Sequence, residues 1–162
     1  MKNISAQFSI PTPYGSFVAS YSENGLAGLN FPNGKTVHEG ERKNIPAQIR
    51  GWHRTTETAL KNYFAGKTVT LPPLDIEGTE FQKSVWREML KIPRGKTKSY
   101  SDIAKAIGRP KAVRAVGGAC GANHVPVLIP CHRVLAANNE IGGFSSGLGW
   151  KCKLLELEGI RL

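Results

Sequence analysis

Apolar and polar residues alternate in short runs near the start of the chain, and further on apolar residues return every third or fourth position. The runs ISAQFSI, YGSFVASY and LAGLNF carry the two-residue period of strands, with Phe17, Ala19 and Tyr21 set against Val18 and Ser20. Asn24-Gly25, between the second and third runs, is a hairpin signal, so the chain is expected to open as an antiparallel sheet. From about Pro46 to Phe64, Ile49, Trp52, Thr56, Leu60 and Tyr63 recur at helical spacing, and Gly66 can end the helix. That helix should cover one face of the sheet. The tract KTVTLPPLDIEG, residues 67–78, has Pro72-Pro73 and no helical period, and reads as an extended connection. The pattern divides the chain into an N-terminal α/β domain, 1–78, and a mostly helical domain, 79–162.

In the second domain Thr79 can cap a helix whose apolar stripe is Phe81, Val85, Met89 and Leu90, ending before Pro93. Ser99 can cap the next, YSDIAKAIG, with Asp102 at the capping-box position and Gly108 at its end. After Gly108-Arg109-Pro110 a third helix, KAVRAVGGAC, is expected to start with the proline near its first position. Two short helices joined by a tight turn containing glycine read as a helix-turn-helix. The second of them is bare: Ala112, Ala115, Gly117, Gly118 and Ala119 give it little bulk, and each mid-helix glycine costs about 1 kcal/mol relative to alanine. Either a neighbouring helix packs closely against it, or its backbone must approach a narrow external surface such as a DNA minor groove, with Arg114 projecting.

Charge favours the second alternative. The chain has 22 basic and 12 acidic residues; Lys83 to Arg114 holds 10 and 2 of these, a net +8, and the remainder holds 12 and 10. Such concentration is an electrostatic footprint for a polyanion, nucleic acid foremost, although a solvated basic face has the same composition. The length suits one ordinary domain or two small ones, and 40% apolar content is that of a globular chain. No stretch of about 18 apolar residues and no signal-peptide hydrophobic region is present, so a soluble, cytoplasmic protein with no membrane partner is expected.

The chemistry concentrates in residues 127–134, VLIPCHRV. Val127, Leu128 and Ile129 read as a buried strand, and Pro130 changes the course of the backbone, which leaves Cys131 where a strand exits the core. Cysteines at 120, 131 and 152 do not space themselves as a disulfide framework and are read as free thiols. A lone buried cysteine is usually a small hydrophobe. Beside Cys131, however, stand His132 and Arg133, groups of the kind that raise the thiolate fraction, although neighbours in a strand point to opposite faces. A zinc site from Cys120, Cys131, His132 and Cys152 lacks the usual close cysteine pair. His38, His53 and His124 are scattered, and read as surface or structural.

Pro130-Cys131-His132-Arg133-Val134, preceded by RAVGGA (114–119), Asn123 and VPVLIP, and followed by GGFSSG (142–147) and LEG (157–159), resembles the O6-alkylguanine-DNA alkyltransferases. The resemblance runs from about Phe81 to Leu162, and more weakly through TPYGSF and NGLAGLNF. It implies a ribonuclease H-like N-terminal domain and a winged-helix-like C-terminal domain. It further implies a single-turnover methylated-DNA–[protein]-cysteine S-methyltransferase that flips O6-alkylguanine from duplex DNA and keeps the alkyl group. No cofactor is expected, nor a metal, since the N-terminal half lacks the cysteines that hold zinc in some members. A monomer is expected, with activity on O4-alkylthymine and clustering on DNA left open.

By position Cys131 matches the acceptor thiol, His132 the water-bridged base and Glu158 the carboxylate that orients it. Asn123 matches the asparagine that stabilises the active-site hinge, and Tyr100 the tyrosine that helps rotate the target phosphate and donates toward the leaving guanine. Arg114 matches the finger that fills the gap in the base stack, flanked at the groove by Ala115 and Gly117. Pro126, Val134 and Ser145 fall at the guanine pocket. Departures from the family are Phe144 for tyrosine, Ser146 for glycine and Val113 for alanine. The related proteins that bind lesions without repairing them carry tryptophan at the cysteine position, so Cys131 argues against that class.

Overall fold

The computed structural model describes residues 3–34, 37, 44–142 and 147–162, which fall into two compact units, Met1–Glu77 and Gly78–Leu162. In the first, β1 (Ala6–Thr12), β2 (Gly15–Ser22) and β3 (Gly25–Asn30) form an antiparallel sheet in chain order. The register runs from Ala6 opposite Tyr21 to Thr12 opposite Gly15, and β3 follows from Asn24-Gly25 as the turn signal predicts. The alternation foreseen along β2 is replaced by burial of every residue from Phe17 to Ser22, as befits a central strand covered on both faces.

Helix α1 (Ala47–Phe64) packs on this sheet through Ile49, His53, Thr56, Leu60 and Tyr63. His53 takes the place expected of Trp52. Its ring stacks on Phe8 with centroids 4.1 Å apart, Nδ1 lies 2.9 Å from the Tyr21 hydroxyl and Nε2 lies 3.3 Å from Glu57 Oε1, so the imidazole fills the core as an aromatic ring with polar groups at both nitrogens. The connection after α1 is extended, and Leu74 bridges to Leu26 of β3, held by Leu26 N–H to the Pro73 carbonyl at 2.8 Å and Asp75 N–H to the Leu26 carbonyl at 2.9 Å.

In the second unit Thr79 and Ser99 each form a full capping box, with Gln82 and Asp102 as partners, at the starts of α2 (Glu80–Leu90) and α3 (Tyr100–Ala106). The buried stripe of α2 is Val85, Trp86 and Met89; Leu90, expected inside, is 40% exposed, because Trp86 fills the core. The Trp86 indole donates to the Ala119 carbonyl at 2.8 Å, tying α2 to α4 (Val113–Gly121). Gly108, at φ +76°, ends α3 with Arg109 N–H on the Ala104 carbonyl. Pro110 does not start α4. It occupies the second position of a turn closed by Ala112 N–H on the Arg109 carbonyl, where the fixed φ of proline is equally at home.

The expected strand at 127–129 is absent. Residues 124–129 form a succession of turns, buried from Val125 onward, in which Val127 adopts φ +72°. A short run of apolar residues signals burial without specifying an extended backbone. A 3-10 turn over Cys131–Arg133 follows, then β5 (Val134–Leu135), paired in parallel with β4 (Lys98–Ser99), and finally α5 (Leu148–Leu157). No described helix is long and apolar enough to cross a membrane.

Candidate active site

Cys131 is 5% exposed and opens the 3-10 turn. Asn123 determines the path of the chain to it: its side-chain amide donates to the Ile129 carbonyl at 2.9 Å, and its Oδ1 accepts from Val125 N–H at 3.0 Å. One buried side chain thus clasps both ends of the turn segment, and Val127, a β-branched residue in the left-handed region, is held in a conformation it would not choose alone. Cys131 N–H closes on the Ile129 carbonyl at 2.8 Å. Burial pushes the thiol up; the Asn123 amide, the Lys151 charge and local backbone N–H groups pull it down by less. The resting group is a thiol rather than a thiolate.

His132 is fully buried and its Nε2 lies 2.5 Å from Glu158 Oε2. The other carboxylate oxygen accepts from Arg133 Nε at 2.8 Å and Gly95 N–H at 3.1 Å, and Arg133 also donates from Nη1 to the Ile92 carbonyl at 2.6 Å. Burial pushes Glu158 up, but the hydrogen bond of His132, the charge that ring takes once protonated, and the hydrogen bonds of Arg133 and Gly95 outweigh it and bring the carboxyl down to about 2. Burial likewise pushes His132 down, against the raising effect of Glu158. An ionised Glu158 is an acceptor only, so Nε2 carries the ring proton and Nδ1 carries the lone pair. His132 is thereby a neutral imidazole in the tautomer a base requires.

Tyr100, the first residue of α3, is half-buried between two glycines. A Cβ on Gly142, whose φ is +69°, would stand 2.7 Å from the phenol oxygen, and one on Gly117 of α4 would stand 4.0 Å from Cε2. Val134 is fully buried directly after the Cys131 turn, and Pro126 is buried in the turn segment before it. Ser145, with Phe144, Ser146 and His38, lies outside the described residues. Among the described residues no group of three or more His, Cys, Asp or Glu could hold a metal ion.

The bareness of α4 now has a geometric reading. Val116, Ala119 and Cys120 are its buried face, whereas Arg114, Ala115, Gly118 and Gly121 are exposed. A Cβ built on Gly118 or Gly121 would meet nothing within 4 Å among the described residues. Close helix packing therefore does not require glycine at these positions, and the alternative, an external surface that must approach the backbone, remains. Of the ten basic residues between Lys83 and Arg114, all but Lys83 and Arg94 are exposed.

The sequence marks Arg133 only as a charge beside Cys131 and not as a partner of Glu158, and it marks neither Gly95 nor Lys151 as a member of the site. Lys151 sits in a helix with charged residues nearby, and no local signal marks it as buried.

Residues 80–160 match the family model described as 6-O-methylguanine DNA methyltransferase, DNA binding domain. A methylated-DNA–protein-cysteine methyltransferase of Methanosarcina acetivorans is 43% identical over 155 residues, spanning 91% of this chain and 94% of that protein. The chain belongs to this methyltransferase family. The crystal structure of Mycobacterium tuberculosis OGT in complex with DNA superposes with a TM-score of 0.75 at 35% identity, covering 94% of this chain and 91% of that one. An O6-methylguanine DNA methyltransferase of Methanococcus jannaschii gives 0.68 at 32%, covering 96% and 95%. The α/β fold, with an N-terminal three-stranded sheet and helices, is that of these methyltransferases.

Two predictions follow from this geometry. Gly142→Ala should displace Tyr100 and strain the backbone, lowering the single-turnover transfer rate at least tenfold with Cys131 alkylation by iodoacetamide unchanged; a rate equal to wild type would contradict the contact. Glu158 titrates at about 2 in the fold against an ordinary 4.5, and His132 below an ordinary 6.5, so the unfolded chain binds protons first as pH falls. The stability they confer is complete above about pH 6.5 and drains away toward pH 2. Urea unfolding midpoints should show this loss, and Glu158→Gln should flatten it between pH 4.5 and 2.

Proposed function

We propose that this protein repairs DNA by moving the alkyl group from O6 of a guanine onto Sγ of Cys131, once per molecule. The carrying observation is a buried cysteine beside a histidine whose Nε2 is committed to an ionised carboxylate. Cys131 gives its proton through a water to Nδ1 of His132; the bond from Sγ to the alkyl carbon forms as the bond from that carbon to O6 breaks. Tyr100 donates toward the departing guanine. Sulfur suits attack on saturated carbon, and the thioether that results has no leaving tendency, so the protein is consumed. Cys120 offers no rescue, since burial holds its thiol up at about 12.

The reacting atom lies inside the base stack of a duplex, which makes flipping part of the same reading. The exposed glycines of α4, with Ala115 and Gly117, let its backbone approach the minor groove, and Arg114 fills the space vacated by the base. In this reading α3 and α4 are the helix-turn-helix of a winged-helix-like domain, and the first unit is ribonuclease H-like. Val134 and Pro126 wall the base pocket and Ser145 bonds the base. The protein works as a monomer on chromosomal DNA in the cytoplasm, and O4-alkylthymine, which presents the same kind of alkyl ether, is its second candidate substrate; clustering of copies would show as an affinity that rises with the length of the DNA.

The test is intact mass and peptide mapping after mixing with a duplex carrying one O6-methylguanine. One methyl group on Cys131, never more than one per molecule, and none in Cys131→Ser that still binds DNA, is the expected result. An unmodified protein that retains the lesion-bearing duplex would replace this reading with a lesion sensor. Arg114→Ala should lose tenfold or more in repair of the duplex and little in reaction with the free O6-alkylguanine base; equal losses would contradict the finger.

A further inference from the structure

Lys151 is 1% exposed, in the middle of α5, and the site as described gives it no task. Lysine is among the residues least often buried, because an ammonium loses its hydration there, and a chain that keeps one inside has to offset that cost. Its Nζ donates to the Val134 carbonyl at 2.8 Å, and Val134 N–H in turn donates to the Cys131 carbonyl, closing the 3-10 turn. The same Nζ stands 6.0 Å from the centre of the Tyr100 ring, at the outer edge of a cation–π contact. The ammonium is thus fastened between the turn that carries the thiol and the tyrosine of the base pocket.

We propose that Lys151 supplies the positive charge that makes Cys131 a nucleophile: a buried ammonium, anchored on the residue that closes the Cys131 turn, favours the thiolate over the thiol. This rests on Cys131 being the alkyl acceptor. The neighbouring charges are already committed. Arg133 is spent on Glu158 and the Ile92 carbonyl, and His132 faces Glu158, so that pair stays near neutral when it accepts the Cys131 proton. Burial pushes Lys151 down, the negative charge of a Cys131 thiolate pulls it back up, and Lys151 in return favours that thiolate, beside the hydrogen bonds of Asn123 and the backbone. Proton removal then creates two compensated pairs, Glu158 with His132 and Cys131 with Lys151, instead of one isolated buried anion. Lys151 is a positioning residue in this scheme, acting through charge.

The measurement is the pH dependence of Cys131 alkylation by iodoacetamide, mapped by mass spectrometry in the absence of DNA. In Lys151→Met and Lys151→Gln the profile should move to higher pH by about one unit or more, so the rate at pH 7 falls about tenfold and recovers in alkali. Lys151→Arg, which keeps the charge, should retain the wild-type profile. A purely structural lysine would lower the melting temperature and leave the profile in place, and unshifted Met and Gln profiles would overturn the proposal. Should the neutral variants not fold, wild type still decides: the Lys151 13Cε resonance must titrate with the Cys131 midpoint and lose that response after Cys131 is alkylated. A resonance blind to Cys131 would overturn it equally. Because no DNA is involved, failure of transfer from alkylated DNA would strike the functional reading and leave this result standing.

Discussion

The carboxylate of Glu158 is the constraint on which the second unit depends. It sits at the C-terminal end of α5 with no solvent on its side chain, and a buried anion is tolerated only when its lone pairs are filled. Three donors fill them: His132 and Arg133 from the turn at the reactive cysteine, and the Gly95 amide from the segment before β4. One side chain therefore fixes where α5 ends, how the Cys131 turn lies against it and where β4 begins. Loss of any donor leaves part of a charge unsatisfied in the interior, which is why these distant pieces of sequence behave as one unit.

From that constraint the reactivity follows. Glu158 selects the tautomer of His132, and His132 holds a lone pair ready for a proton that the buried Cys131 does not readily give up. Burial thus keeps Cys131 protonated at rest, and its reactivity depends on the groups that take its proton and face the anion left behind. Asn123 and the strained Val127 fix the approach to the cysteine, while Lys151 fixes its exit through Val134. The rigidity around the thiol contrasts with the bare, exposed face of α4, where small residues leave backbone available to a partner.

What was legible in the sequence was what is encoded locally. The Thr79 and Ser99 capping boxes, the Asn24-Gly25 turn and the three N-terminal strands each depend on residues a few positions apart, and each appears as read. Where tertiary packing decides, the reading slipped. Val127 to Ile129 is apolar because it is buried, but Asn123 bends it into turns; Trp52 and His53 fit the same helical face equally well until Phe8 and Tyr21 select the histidine. The motif around Cys131 pointed to the chemistry, and resemblance supplied the pairing of His132 with Glu158. The partners of Arg133 and Lys151 stayed hidden, since Ile92 and Val134 lie 41 and 17 residues away.

The account stands most directly on the protonation of His132. Nitrogen-15 NMR of protein labelled at histidine reads it without any substrate, through the chemical shifts and proton couplings of the two ring nitrogens. A neutral ring at pH 7 with the proton on Nε2, remaining neutral well below pH 6.5 and becoming disordered in tautomer when Glu158 is changed to glutamine, is the predicted result. A proton on Nδ1, or an imidazolium at pH 7, would leave no base beside Cys131 and would contradict the account.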